Sequence, residues 1–159
     1  MRTTALAVAA ALAAGLAAFI APGHAGAGER LPPAADPLVR KECGDCHMAF
    51  PPQMLPRRSW VALMNGLDNH FGEKATLPAA TRQAIVDYLA GNAGDVTRTR
   101  EGGKFMTGIP GDRNPLRITE TGRFLRKHNA REVPPDAWQR KSIGSKANCP
   151  ACHLQAEQG

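Results

Sequence analysis

Two copies of the pattern Cys-x-x-Cys-His carry the chemistry that this sequence shows most directly. Their residues are Cys43, Cys46 and His47 in the first copy, and Cys149, Cys152 and His153 in the second. The two copies use all four cysteines of the 159-residue chain. In this pattern the two thiols form thioethers with the vinyl groups of one haem, and the histidine binds the iron as its proximal ligand. The pattern therefore predicts two covalently attached haem c groups.

Other chemistry of paired cysteines explains the pattern less well. A zinc site would need both Cys-x-x-Cys pairs to meet in space, although they lie near opposite ends of the chain, and it would leave both histidines without a role. Disulfides are compatible with an exported protein. A thioredoxin-like redox motif would need a βαβ context, which the sequence does not indicate.

Each iron also needs a sixth ligand or an open position, and the histidines are the first candidates. Of the five histidines, His24 falls within the predicted signal peptide and two follow the cysteine pairs. His70 and His128 remain, one for each haem. Imidazole is a good ligand for haem iron. We therefore predict bis-histidine ligation, with His47 and His70 at one iron and His128 and His153 at the other.

Three alternatives to this ligand set stay open. Met54 and Met106 are the methionines best placed to replace a distal histidine, and a methionine ligand would raise the reduction potential. Crossed ligation, with His70 serving the second haem, is also compatible with the sequence. Finally, either distal histidine could be an ordinary surface or core residue, since both have polar neighbours.

The elements that must position these residues are predicted to be helices. Asp36-Pro37 is a typical N-cap and first turn. Apolar residues at helical spacing and flanking proline or glycine indicate further helices. The predicted ranges are 37–43, 56–71, 76–91 and 119–129, with a short turn of helix at 134–138. Residues 26–35 are predicted to be a loose leader, and residues 93–118, rich in glycine, an irregular connector.

The N-terminus has the three parts of a secretory signal peptide. Arg2 precedes an apolar stretch from Ala5 to Ile20, and small residues follow it. Cleavage after Ala25 or after Ala27 fits equally well. A retained membrane anchor is the alternative, but the stretch is shorter than the roughly 20 residues that span a bilayer. We therefore predict a periplasmic protein with no stable membrane insertion after cleavage.

The positive charge is concentrated in the second half of the chain. Residues 93–159 contain twelve basic and seven acidic side chains, whereas residues 26–92 contain seven of each. The excess can offset haem propionates, or it can steer an acidic redox partner. Nucleic acid is not expected to be a target of an exported haem protein.

The order of the ligands differs between the halves of the chain. The distal histidine follows the cysteine motif in the first half and precedes it in the second. The halves are therefore not a tandem duplication. We predict a mainly α fold with two small haem-binding units, the first similar to a class I cytochrome c and the second short and irregular. The predicted divisions are a signal peptide at 1–25, an N-terminal haem domain at 26–92, a connector at 93–118 and a C-terminal haem domain at 119–159.

Several stretches resemble the small dihaem cytochrome c family that donates electrons to the sphaeroides haem protein. They are ECGDCHMAFPP at 42–52, LPRRSW at 55–60, DNHFGE at 68–73, VP at 133–134, SIGS at 142–145 and NCPACH at 148–153. The resemblance covers most of the chain after the signal peptide, and the connector matches least. It implies bis-histidine ligation at both irons and electron transfer to a small c-type haem protein. It also implies membrane b-type cytochromes as upstream donors.

These observations favour an electron carrier over two rivals. Four histidines for two irons leave no position for a substrate, so we predict no catalysis. A small dihaem peroxidase or reductase would need an open or displaceable axial position and a distal proton donor. A gas sensor would need a displaceable ligand and an output element, which the sequence does not indicate.

Overall fold

The computed structural model describes residues 30–159. Six α-helices form its framework: α1 Pro37–Gly44, α2 Arg57–Asn65, α3 Ala79–Gly91, α4 Gly94–Thr97, α5 Arg100–Met106 and α6 Gly122–Lys127. Single turns of 3-10 helix connect them at Pro52–Met54, Leu67–Asn69, Ile118–Glu120, Pro135–Gln139, Cys149–Ala151 and Ala156–Gln158. Within residues 30–159 there is no β-strand, only one isolated bridge. The predicted mainly α fold is confirmed.

Helix α1 begins where the sequence predicts. The Asp36 carboxylate accepts hydrogen bonds from the backbone N–H groups of Leu38 (2.8 Å) and Val39 (3.0 Å). Proline at the first helical position has no N–H to leave unpaired there. The helix buries Val39 and carries Cys43 in its last turn. A local cap thus places the first haem-binding cysteine.

Helices α2 and α3 enclose the hydrophobic core beneath the first cysteine motif. The core cluster contains Leu55, Trp60, Met64, Leu67, Ile85 and Leu89, each at most 8% exposed. The Trp60 indole N–H donates to the Pro52 carbonyl oxygen at 2.7 Å, so its buried polar atom is satisfied. The predicted helix over 56–71 is too long, because Gly66 ends α2 and a 3-10 turn follows.

The predicted irregular connector contains two helices, α4 and α5, and the prediction of its local structure is therefore wrong. Two of its glycines, Gly94 and Gly102, allow close packing rather than breaking helices. A Cβ atom at Gly94 would collide with the Gln53 carbonyl oxygen, and one at Gly102 would lie 2.8 Å from the Thr99 hydroxyl. Thr99 also caps α5 by accepting from the Gly102 N–H at 3.1 Å.

The leader is also more fixed than predicted over the residues that the structure describes. Ala34 is buried, and the Ala35 N–H donates to the Tyr88 hydroxyl at 2.8 Å. Arg30 reaches the far end of the chain, where it donates to the Gln155 side chain at 3.4 Å.

The predicted signal peptide lies outside the described residues. Within residues 30–159, no helix is long and apolar enough to cross a membrane. The predicted division of the chain into four segments stays a prediction.

Candidate haem sites

The first cysteine motif begins in α1 and continues into the loop after it. Cys43 is half-buried, and Cys46 is exposed. Burial, together with the nearby Glu42 carboxylate, raises the pKa of the Cys43 thiol. His47 follows directly, and its Nδ1 lies 2.7 Å from the Met48 carbonyl oxygen. Because a carbonyl only accepts, Nδ1 carries the proton and Nε2 keeps a lone pair with which it could bind a metal ion.

His70 lies opposite His47. The two ring centroids are 6.1 Å apart, and the ring planes meet at 26°. His70 ends a 3-10 turn and pairs with Glu73 through two backbone hydrogen bonds of 2.7 and 3.2 Å. Burial, followed by the charges of His47 and Arg117, lowers the pKa of His70. The lowered pKa favours the neutral imidazole, which is the form that binds a metal.

The second site is built from α6 and the 3-10 turns near the chain end. Cys149 lies in the turn Cys149–Ala151, and burial raises the pKa of its thiol. His128 follows α6, and its Nδ1 lies 3.0 Å from the Phe124 carbonyl oxygen. Its ring centroid lies 5.9 Å from that of His153, with the planes at 73°.

Two aromatic side chains hold His128 from the side, and sequence reasoning assigned neither of them to the site. The Phe124 ring stacks on the imidazole at 4.1 Å and 12°. Trp138 lies 6.1 Å from the imidazole and 6.3 Å from Phe124, measured between ring centroids. Phe124 has a signal in the sequence, since it lies one helical turn before His128. Trp138 has no such signal, because it lies in a separate 3-10 turn, Pro135–Gln139, ten residues after His128.

Cavities accompany both motifs. A cavity of about 1020 Å³ is lined by His128, Trp138, Cys149, Cys152 and His153, and Met48 also reaches it. A second cavity, of about 400 Å³, lies between the motifs and is lined by Cys46, His47, Asn148 and Pro150, among others. Residues of both attachment motifs therefore line the same cavity.

The spacing of the imidazoles fits a haem iron held between each pair. An imidazole nitrogen binds a transition-metal ion at about 2.0 Å, so two rings on opposite sides of one ion have centroids about 6 Å apart. The observed distances of 6.1 and 5.9 Å agree with this arrangement. The structure thus pairs each predicted distal histidine with the proximal histidine of its own half.

The competing sites find less support in the structure. Within residues 30–159, no disulfide joins any two of the four cysteines. Over residues 30–159, no group of three or more His, Cys, Asp or Glu side chains is placed to hold a metal ion. Of the two alternative methionine ligands, Met106 packs its side chain at Gly94, whereas Met54 lines the larger cavity and stays an alternative axial ligand.

Comparison with known proteins agrees with this geometry. The sequence profile of a family described as "Dihaem cytochrome c" matches residues 39–159. A solved structure titled "Diheme cytochrome c from Rhodobacter sphaeroides" is 46% identical, with a TM-score of 0.74, and the match covers 80% of this chain and 98% of that one. A dihaem cytochrome c from Shewanella baltica OS155 is 33% identical, with a TM-score of 0.60, over 77% of this chain and 84% of that one.

A second structure from Rhodobacter sphaeroides, titled as DHC purified from that organism, is 46% identical with a TM-score of 0.65, over 79% of this chain and 96% of that one. No protein of curated function matches the sequence. The profile match spans both cysteine motifs, and identity to solved dihaem proteins extends over most of the chain. The chain therefore belongs to the dihaem cytochrome c family, and its four cysteines attach two haem c groups.

Proposed function

We propose that this protein is a periplasmic electron carrier with two haems. Each haem iron has two histidines as its axial ligands, so neither iron has an open coordination position. The family supports a haem-based electron-transfer role. The observation that carries the proposal is the spacing of the paired imidazoles, His47 with His70 and His128 with His153, at 6.1 and 5.9 Å. Haem, when bound, supplies a one-electron redox centre, and the protein supplies attachment, axial ligands and burial.

The chain's own residues favour rapid electron exchange without substrate binding. His47 and His128 each have Nδ1 fixed against a backbone carbonyl oxygen, which orients the ring and limits its movement when the charge of the iron changes. The two attachment sites lie close together, because residues of both motifs line the cavity of about 400 Å³. A peroxidase, reductase or gas sensor would instead need one iron whose sixth position is open.

The proposed ligation predicts that carbon monoxide does not bind rapidly to the reduced protein. We expect no shift of the Soret band within the mixing time, because carbon monoxide can enter only as fast as a histidine dissociates. The oxidised protein should lack the charge-transfer band of methionine–iron ligation. The measurement is rapid-mixing absorption spectroscopy of the dithionite-reduced holoprotein over a range of carbon monoxide concentrations. A fast shift at one haem, with a rate proportional to the carbon monoxide concentration, would contradict the proposed ligation and favour an enzyme or a gas sensor.

We further propose that the partner is an acidic redox protein, a small c-type haem protein, with a membrane b-type cytochrome as donor. The excess of basic side chains in residues 93–159 supports this choice. Some of them, such as Lys127 and Lys146, line the larger cavity and would offset the negative charge of haem propionates bound there. Others are exposed and do not line it, among them Arg126, Arg131 and Lys141.

Charge steering predicts that electron transfer to an acidic acceptor slows as salt is added. With a small acidic c-type cytochrome as acceptor, we expect the bimolecular rate to fall by about tenfold or more between low and high ionic strength. Arg126→Glu should reduce the low-salt rate, whereas Arg40→Glu, an equal change of charge at an exposed residue of the N-terminal half, should reduce it less. Equal losses in both variants, or a rate that does not respond to salt, would contradict docking at the C-terminal half.

A further inference from the structure

Arg117, the last residue before the 3-10 turn Ile118–Glu120, covers the residue next to His70. Its guanidinium carbon lies 3.8 Å from the centroid of the Phe71 ring, directly over the ring face. The Phe71 ring in turn lies 4.7 Å from the His70 imidazole. A cation over an aromatic face at this distance is attractive. The three side chains form a continuous contact from the connector to the distal side of the first haem site.

The backbone beneath this contact has an unfavourable conformation. Phe71 has φ of 58° and Gly72 has φ of 104°, so the turn 70–73 places two successive residues in the left-handed region. Glycine adopts it freely, whereas a residue with a bulky side chain does so only when its surroundings hold it there. The hydrogen bonds between His70 and Glu73 and from the Gly72 N–H to the Asn69 side chain (3.0 Å) hold the turn from within.

Arg117 acts from outside the turn and is itself anchored. Its neighbour Ile118 packs against the hydrophobic core and also lines the larger cavity. The Thr121 hydroxyl and N–H both donate to the Ile118 carbonyl oxygen, at 2.7 and 3.1 Å. Arg117 therefore extends from a fixed backbone onto Phe71, which is itself 43% exposed and has its ring face covered by the guanidinium.

We propose that Arg117 is a positioning residue for His70: by clamping Phe71 in its strained conformation it slows the departure of His70 from the N-terminal iron. This inference rests on the proposed function, because it takes His70 as the distal ligand. It assigns to Arg117, at the end of segment 93–118, control over how fast His70 leaves the N-terminal iron.

The test is the rate at which His70 dissociates. At saturating carbon monoxide, the binding rate of a closed ferrous haem reaches a plateau that equals the rate of histidine dissociation. We expect Arg117→Ala to raise the plateau of the N-terminal haem by about two- to fivefold, the factor that corresponds to loss of an exposed cation–π contact. The plateau of the C-terminal haem should not change. The N-terminal phase is identified as the one that loses its plateau in His70→Ala.

Three further variants separate clamping from a general structural effect. Arg117→Lys keeps a cation but loses the planar group that stacks, so it should give an intermediate rate. Phe71→Asn removes the ring and tolerates the left-handed conformation, so adding Arg117→Ala to it should change nothing. Arg140→Ala, which removes an exposed arginine paired only with Asp136 in the structure, is the matched control and should behave as the unmodified protein.

The outcomes distinguish failure of this inference from failure of the proposed ligation. If the unmodified N-terminal haem binds carbon monoxide with no plateau, His70 is not a ligand and the proposed function fails. If the plateau exists but Arg117→Ala leaves it unchanged, or raises it equally in the Phe71→Asn background, the ligation stands and Arg117 does not act through Phe71.

Discussion

Replacing His128 by alanine is expected to turn a closed C-terminal iron into one that binds one carbon monoxide per protein in a fast, concentration-dependent step. His128 is the only imidazole in residues 30–159 that lies opposite His153, with ring centroids 5.9 Å apart. Alanine cannot reach the iron, and the neighbouring Phe124 and Trp138 rings offer no ligand atom of comparable strength. The measurement is rapid mixing of the reduced holoprotein, with the stoichiometry taken from a carbon monoxide titration.

Two variants complete this experiment. His70→Ala should open the other iron in the same way, and the double variant should bind two carbon monoxide molecules. Arg126→Ala changes an exposed residue of α6 near His128 and is the matched control, which should stay closed. If His128→Ala stays closed while its haem content is normal, another side chain is the sixth ligand, and Met54 on the cavity wall is the first to test.

The two oxidised irons are expected to give two clearly different electron paramagnetic resonance signals. The imidazole planes meet at 26° in the N-terminal pair and at 73° in the C-terminal pair. Each imidazole raises the iron d orbital with which its π system overlaps. Nearly parallel rings raise the same orbital and separate the two d levels, which gives a rhombic low-spin signal. Nearly perpendicular rings raise one orbital each, so the levels stay close and the signal has a single large g value.

The assignment of these signals follows from the same alanine variants. In frozen oxidised samples, His70→Ala should remove the rhombic signal and leave the large-g signal in place. His128→Ala should have the converse effect. Two rhombic signals in the unmodified protein would show that the C-terminal rings are closer to parallel than the 73° of the structure.

The stacking on Phe124 fixes the orientation of one ring of the C-terminal pair, that of His128. The Phe124 ring lies 4.1 Å from His128 and is nearly parallel to it, while Nδ1 is tied to the carbonyl oxygen of the same residue. These two contacts fix the rotation of the imidazole about its own axis. His47 is fixed in a comparable way by the Met48 carbonyl oxygen and by Phe50, whose ring centroid lies 4.9 Å away.

The haem attachment chemistry and several helix ends could be predicted from the sequence because they are local. Both thiols and the proximal histidine of each site lie within five consecutive residues, so no fold is needed to bring them together. The start of α1 at Asp36-Pro37 is equally local, since the cap bonds reach only two and three residues ahead. The histidine count also limited the candidate distal histidines to His70 and His128.

Where local patterns failed, the missing information was tertiary. Gly94 and Gly102 indicated irregular structure by their type, but a Cβ atom at Gly94 would collide with the distant Gln53 carbonyl oxygen, and one at Gly102 would lie 3.2 Å from the Gln53 side chain. The apolar face over 56–71 predicted one helix, although Gly66 ends α2 and lets the chain turn into the segment that carries His70. Close approach between segments cannot be seen in a sequence taken alone.

The sequence by itself determined that two haems are attached, where they are attached and which histidines are available, because thioether formation and proximal ligation depend on neighbours in the chain. Only the tertiary structure decided that His70 faces His47 and His128 faces His153, the angle at which each pair meets, and the contact of Arg117 with Phe71. These relations join residues at least 23 positions apart in the chain. Their distances and angles are therefore set by how the helices pack and by the stacking of aromatic rings, not by spacing along the backbone.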